Sequence, residues 1–180
     1  MLEGLEQLLR DGELGVLTVG ELAATLECSR RTLYELAKSK DQLMLLVVDR
    51  VMHRIGETAL AAIDFDVPAA VQLRQYATAS IGYANRTAAV GELADIPGVR
   101  RVVDAHYRFA ATVLEGIVAT GIDRDEFRRV DAAVTAVAIL AGAVRFSQRD
   151  VLDRLGLSLE DALGEMLDLI LVGLLDPHPG

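Results

Sequence analysis

The stretch T-V-G-E-L-A-A-T-L-E-C-S-R-R-T-L-Y-E-L-A-K-S-K-D-Q-L, residues 18–43, decides how the chain is read. Thr18 followed by Glu21 has the spacing of a capping box, in which hydroxyl and carboxylate each take a free backbone N–H, so a short helix is predicted to about Leu26. Ser29 caps a second short helix through about Ala37, and the break Glu27-Cys28-Ser29 between them is tight. Leu22, Leu26, Cys28 and Leu33 are spaced to form a small shared core, with Ala23 small where the helices cross. Ser39 and Gln42 repeat the capping-box spacing and open a long helix to about Ala62. Two short helices on so tight a turn have helix-turn-helix spacing.

This core leaves Ser29, Arg30, Arg31, Thr32 and Tyr34 outward at the start of the second helix. The chain carries 18 Lys and Arg against 27 Asp and Glu, a net charge of −9 that on average repels polyanions. Its two lysines, Lys38 and Lys40, nevertheless fall beside Arg30 and Arg31. From Cys28 to Lys40, four basic side chains face only Glu35. In helix-turn-helix proteins the first residues of the second helix enter the major groove, where arginine bonds bidentately to guanine edges and hydroxyls hold phosphates. The competing reading is a helical hairpin whose Arg-Arg pair is a solvated face.

The same residues resemble the DNA-binding head of the tetracycline-repressor (TetR) family of bacterial regulators. Thr18, Leu22-Ala23, Cys28-Ser29, Thr32-Leu33-Tyr34 and Ser39-Lys40 match that family's pattern in order and spacing. The resemblance implies phosphate contacts from Thr18, Tyr34 and Lys40 and groove-facing positions for Ser29, Arg30 and Arg31; Thr32 and Lys38 complete the candidate DNA-binding set. It also implies a positive φ at Glu27, where the family often has a turn glycine. Glu35 and Ala37 depart from the pattern on the second helix, and the family's basic N-terminal arm has no counterpart before the first helix.

Outward from this segment, period-3.6 patterning recurs and no stretch alternates strictly, so the chain is expected to be all-α with about nine helices. A first helix covers about Leu2 to Arg10. After the break at Ile63 to Val67, Pro68 opens a fifth helix to about Arg86. A short sixth precedes Pro97. The seventh runs from about Val99 to Thr120, stopped by Gly121. An eighth spans about Val130 to Gln148, and the last begins after Ser158, with Asp161 at its third position, and runs to Leu175. The expected organisation is a helix-turn-helix head at residues 1–47 and a helical ligand-binding and dimerisation domain at 48–180. The longest uncharged run, Ala132 to Val144, is too short for a membrane span. Glu3 and Glu6 stand where a signal peptide carries positive charge. The single Cys28 makes no internal disulfide, and the histidines have no zinc-ligand spacing, so a cytoplasmic chain without metal or cofactor is expected.

In the C-terminal part, Leu73, Tyr76, Ser80 and Tyr83 share one helix face, and Val102, His106, Phe109 and Val113 another. Apolar stripes with a few hydroxyls and an imidazole suit a small, largely apolar effector. A plain core whose Tyr and His find backbone partners is the competing reading. The eighth helix is apolar all round and the ninth nearly so, which calls for cover on several sides. Val137, Leu140, Val144, Met166, Ile170 and Leu174 are therefore candidate dimer contacts, the alternative being core helices of a monomer. His106 and Asp104, two residues apart on a helix, do not face each other. No nucleophile elbow, phosphate loop or carboxylate pair supports an enzyme. The expectation is a homodimeric regulator, in the sense of a repressor, that leaves double-stranded operator DNA when the effector binds. Its alternative is a helical ligand-binding or scaffold protein of the same fold that has lost DNA binding.

Overall fold

The computed structural model describes the backbone of residues 1–84, 90, 93 and 95–175, and the side chains of all of these except 81–84 and 149. Among them are nine helices: α1 (Leu2–Arg10), α2 (Val19–Thr25), α3 (Arg30–Leu36), α4 (Lys40–Ala61), α5 (Ala69–Ala84), α6 (Val99–Asp123), α7 (Ala132–Phe146), α8 (Arg149–Leu155) and α9 (Leu159–Leu174). The chain is all-α. None of the described helices is long and apolar enough to cross a membrane.

Two compact units divide it, residues 1–55 with 86–106 and residues 56–85 with 107–180, the boundaries falling inside α4 and α6. In the first unit, Leu5, Leu8 and Leu9 of α1, Leu22 and Ala23 of α2, Leu33 of α3 and Leu43, Val47, Val48 and Val51 of α4 are buried. At roughly 1.5–3 kcal/mol per large side chain, this apolar set is what holds such short helices, which would be marginal alone. A Cβ on Gly4 would lie 2.5 Å from Leu26 Cδ2, so the bare backbone of α1 receives Leu26.

Glu6 lies on the buried side of α1, at 1% exposure. Arg50 Nε donates to its Oε1 at 2.7 Å and Arg54 Nη1 to its Oε2 at 2.8 Å, so both carboxylate oxygens are satisfied from α4. The two guanidiniums stay partly in water while the carboxylate does not. A carboxylate left in such a place without partners would be strongly destabilising.

The turn between α2 and α3 is a Schellman closure: Cys28 N–H donates to Ala23 O at 2.9 Å and Glu27 N–H to Ala24 O at 3.1 Å. Glu27 takes φ +50° there, as the missing turn glycine implied, at a cost of about 1 kcal/mol relative to glycine.

The second unit is built on Ala59, Ile63, Leu73, Tyr76, Ala110, Leu114, Ile117, Val118, Phe127, Ile139, Leu167, Leu171 and Leu174. Gly121 does not stop its helix: α6 continues to Asp123, and the positive φ falls on Asp125 at +56°. Gly121 is glycine because of crowding, since a Cβ there would run into the Phe127 ring and lie 2.9 Å from Ala69 Cβ. Helix α8 departs from the sequence reading, which left those residues unassigned. Gln148 gives it no side-chain cap, and its only clear sequence signal is Gly156, left-handed at φ +66°. The short helix expected before Pro97 lies largely outside the described residues.

Glu6→Gln, which removes the charge but keeps the shape, is expected to cost about 2 kcal/mol in denaturant unfolding, the scale of charged hydrogen bonds lost to water. Replacing Arg50 and Arg54 together by Ala strands the carboxylate and is expected to cost more, about 3–5 kcal/mol. A double-arginine variant as stable as Glu6→Gln would contradict this order.

Candidate nucleic-acid interface

All eight candidate DNA-binding residues lie in the first unit: Thr18 and Ser29 cap α2 and α3, Arg30, Arg31, Thr32 and Tyr34 lie on α3, Lys38 follows it and Lys40 opens α4. The local chemistry holds both helix starts in place. Thr18 Oγ1 accepts from Glu21 N at 3.3 Å while Glu21 Oε2 accepts from Thr18 N at 2.7 Å, the reciprocal box read from the sequence. That backbone bond, helped by the Thr18 side chain, holds the Glu21 carboxyl below the usual range. Ser29 Oγ accepts from Thr32 N at 3.0 Å and lies 2.8 Å from Thr32 Oγ1. At α4 the second box is only half made: Ser39 Oγ accepts from Gln42 N, but Gln42 Oε1 takes the N–H of Lys38 instead of that of Ser39.

The cations on this surface sit in three different ways. Arg30 is exposed, and its guanidinium lies over Gly20, where a Cβ would be 2.5 Å from Nη2. Gly20 thus seats Arg30 against α2. Arg31 is 89% exposed in its side chain and pairs with Glu35, one turn on, through Nε–Oε1 at 3.3 Å. Lys40 Nζ donates to Gly15 O at 2.6 Å, tying the start of α4 to the loop after α1. Lys38 is exposed, Tyr34 half exposed and Thr32 half-buried. The seat on Gly20 and the pairing of Arg31 were not read from the sequence, although the spacing of Arg31 and Glu35 carried the second signal.

The candidate effector residues are divided between the units: Val102 and His106 in the first; Leu73, Tyr76, Ser80, Phe109 and Val113 in the second. Leu73 and Tyr76 belong to the buried core, with Val113 packed against it. Burial pushes the Tyr76 hydroxyl up to about 12, with the Ser80 side chain opposing that shift; Ser80 Oγ donates to the backbone carbonyl of Tyr76 at 2.8 Å. His106 is half-buried, and desolvation lowers its pKa against the opposing hydrogen bond to the Met52 backbone. Phe109 is exposed, and the Tyr83 side chain lies outside those described.

Of the candidate dimer residues, Val137 points outward, Leu140, Met166 and Ile170 pack against the second unit's core, Val144 is half-buried and Leu174 is buried within that core. Other apolar side chains are more exposed: Val134 on α7, and Leu169 and Val172 on α9 at 76% and 74%. The stripe Leu163, Leu167, Leu171 and Leu174 faces inward, which turns Leu169 and Val172 out.

Residues 97–161 match the model of the tetracyclin repressor-like C-terminal domain. No curated protein matches the chain. Among solved structures, a candidate transcriptional regulator from Saccharomonospora viridis in complex with choline has a TM-score of 0.82 at 17% identity, covering 97% of this chain and 95% of that one. The fatty acid degradation regulator FadR from Bacillus halodurans has a TM-score of 0.76 at 13% identity, with 94% and 92% covered. A TetR-family transcriptional regulator from Agrobacterium tumefaciens has 0.73 at 16% identity, with 97% and 95% covered. At these identities the structures show a shared fold. The sequence match to the tetracyclin repressor-like C-terminal domain at residues 97–161 thus lies within a fold that the chain shares with these regulators over nearly its whole length.

Proposed function

We propose that the protein is a homodimeric transcriptional repressor that binds double-stranded operator DNA through α3 and leaves it when a small apolar effector binds. The observation that carries the DNA-binding reading is the head itself: a capped helix-turn-helix whose second helix exposes Arg30, Arg31 and Tyr34, with Lys38 and Lys40 behind it, on a chain otherwise acidic. In this reading Arg30 and Arg31 contact base edges, and Lys40, with Thr18, Tyr34 and Lys38, contacts phosphates; Ser29 and Thr32 hold the reading helix by its cap.

Dimerisation is supported by the apolar side chains that α7 and α9 leave in water, Val134, Val137, Leu169 and Val172. The effector reading is supported by the apolar stripes of α5 and α6, which carry no Lys or Arg among Leu73, Tyr76, Ser80, Tyr83, Val102, His106, Phe109 and Val113. An anionic ligand would find no partner on those stripes. On this fold the Saccharomonospora viridis protein is in complex with choline, and the Bacillus halodurans protein is named for regulating fatty acid degradation.

On a duplex selected from a random library, Arg30→Ala and Arg31→Ala are each expected to cost about 1–3 kcal/mol and less on random duplex, while Lys40→Ala weakens both and flattens the salt dependence. Fluorescence anisotropy measures this, and equal losses on both duplexes for all three variants would overturn the assignment of roles. Sedimentation at micromolar concentration is expected to give a dimer that Leu169→Glu or Val172→Glu dissociates; a monomeric wild type would remove the dimer. In a thermal-shift screen, the compounds that raise the melting temperature and release the duplex are expected to be apolar with few hydrogen-bonding groups. Nucleotides or polyphosphates among them would contradict the effector reading.

A further inference from the structure

The exposed face of α3 carries an acid as well as its cations. Arg31 and Glu35 stand one helical turn apart, both in water at 89% and 66% side-chain exposure, and touch through a single contact, Arg31 Nε to Glu35 Oε1 at 3.3 Å. That contact uses one edge of the guanidinium and one carboxylate oxygen. Arg31 Nη1 and Nη2 and Glu35 Oε2 make no other hydrogen bond among the described residues. Arg30 is placed differently, its guanidinium resting on Gly20 of α2. Exposed pairs of this kind are loosely held and yield readily to a better-matched partner.

The free atoms are complementary to one base pair. Two parallel N–H donors fit guanine O6 and N7, and a carboxylate oxygen fits the N4 amino group of cytosine, the one major-groove donor of a G·C pair. Resting on the reading of α3 as the groove-entering helix, we propose that Arg31 and Glu35 act together as the specificity-determining pair of this head, selecting in each half-site a guanine together with a cytosine on the same or the adjacent base pair. Glu35 contributes mostly by exclusion. Opposite cytosine its oxygen is satisfied. Opposite thymine O4 or guanine O6 two acceptors meet, and near phosphates without an amino donor the carboxylate is desolvated and repelled. The acidic residue that weakens the head's attraction for DNA in general is thereby what makes it selective. A Gln in its place adds N–H donors and matches adenine N6 and N7 instead.

The test is selection from a randomised duplex library by the full-length wild type, Glu35→Gln, Glu35→Ala and Arg31→Ala, followed by titration of the enriched and random duplexes. Circular dichroism checks that each surface variant is folded. The wild type is expected to enrich a half-site with a fixed guanine and a fixed cytosine next to or opposite it. Glu35→Gln is expected to move the cytosine position toward adenine. Glu35→Ala is expected to leave that position open, to bind random duplex several-fold more tightly, and to lose about tenfold in the ratio of selected to random affinity. Arg31→Ala is expected to lose the guanine preference. If the Glu35 variants enrich the wild-type half-site unchanged, or tighten on every duplex by one common factor, Glu35 is only a repelling charge and the inference is overturned while DNA binding stands. If the wild type enriches no sequence, the reading of α3 falls and takes this inference with it.

Discussion

The first unit depends on one buried carboxylate. Glu6 sits where an apolar residue would ordinarily complete the α1 stripe, and it is tolerated because Arg50 and Arg54, one turn apart on α4, satisfy both its oxygens. A hydrophobic residue there would pack in many orientations. A carboxylate gripped from two sides fixes the angle and register of α1 on α4, in the way that buried polar pairs specify one arrangement among several. Leu22 and Ala23 of α2 and Leu33 of α3 are buried in the same unit, and Leu26 rests on Gly4 of α1. Burial of those apolar side chains keeps the seven-residue α2 and α3 formed, since neither would persist alone.

On that frame the head uses its polar groups economically. Thr18, Ser29 and Thr32, all candidates for contact with DNA, are each bonded within a cap, and that bonding aims the helix start. The positive φ of Glu27 is part of the same construction: the Schellman bonds to Ala23 and Ala24 turn the chain so that Ser29 can cap α3, and the strain at Glu27 is held by those bonds. Arg30 and Arg31 leave this turn as neighbours in sequence but not in environment. One rests on a glycine and the other faces an acid.

Much of the fold was legible because its signals are local. Capping boxes, glycine after a helix and period-3.6 stripes report directly on backbone bonding, so Thr18, Ser29 and Ser158 mark helix starts that the structure bears out. Gly121 misled because a glycine has two uses, ending a helix or admitting a neighbour, and only the folded position of Phe127 tells them apart. The Glu6 grip was illegible for a related reason: its partners are 44 and 48 residues away. On α9 the sequence showed an apolar stripe but not which of its members the core consumes, and Leu174 falls inside while Leu169 faces out. The head's resemblance rests on side chains of residues 18–43, whereas the matched domain model covers residues 97–161, so the two signals come from separate parts of the chain.

The proposed function requires that this acidic chain present a locally cationic head to the phosphates of duplex DNA. A titration of the wild-type protein with a short duplex of random sequence, repeated from about 50 to 200 mM salt, tests it most directly. Binding is expected at low salt, with log Kd rising steeply and linearly in log salt as phosphate counterions are released. No binding at the lowest salt, or an affinity indifferent to salt, would contradict the account and favour a helical ligand-binding or scaffold protein on the same fold.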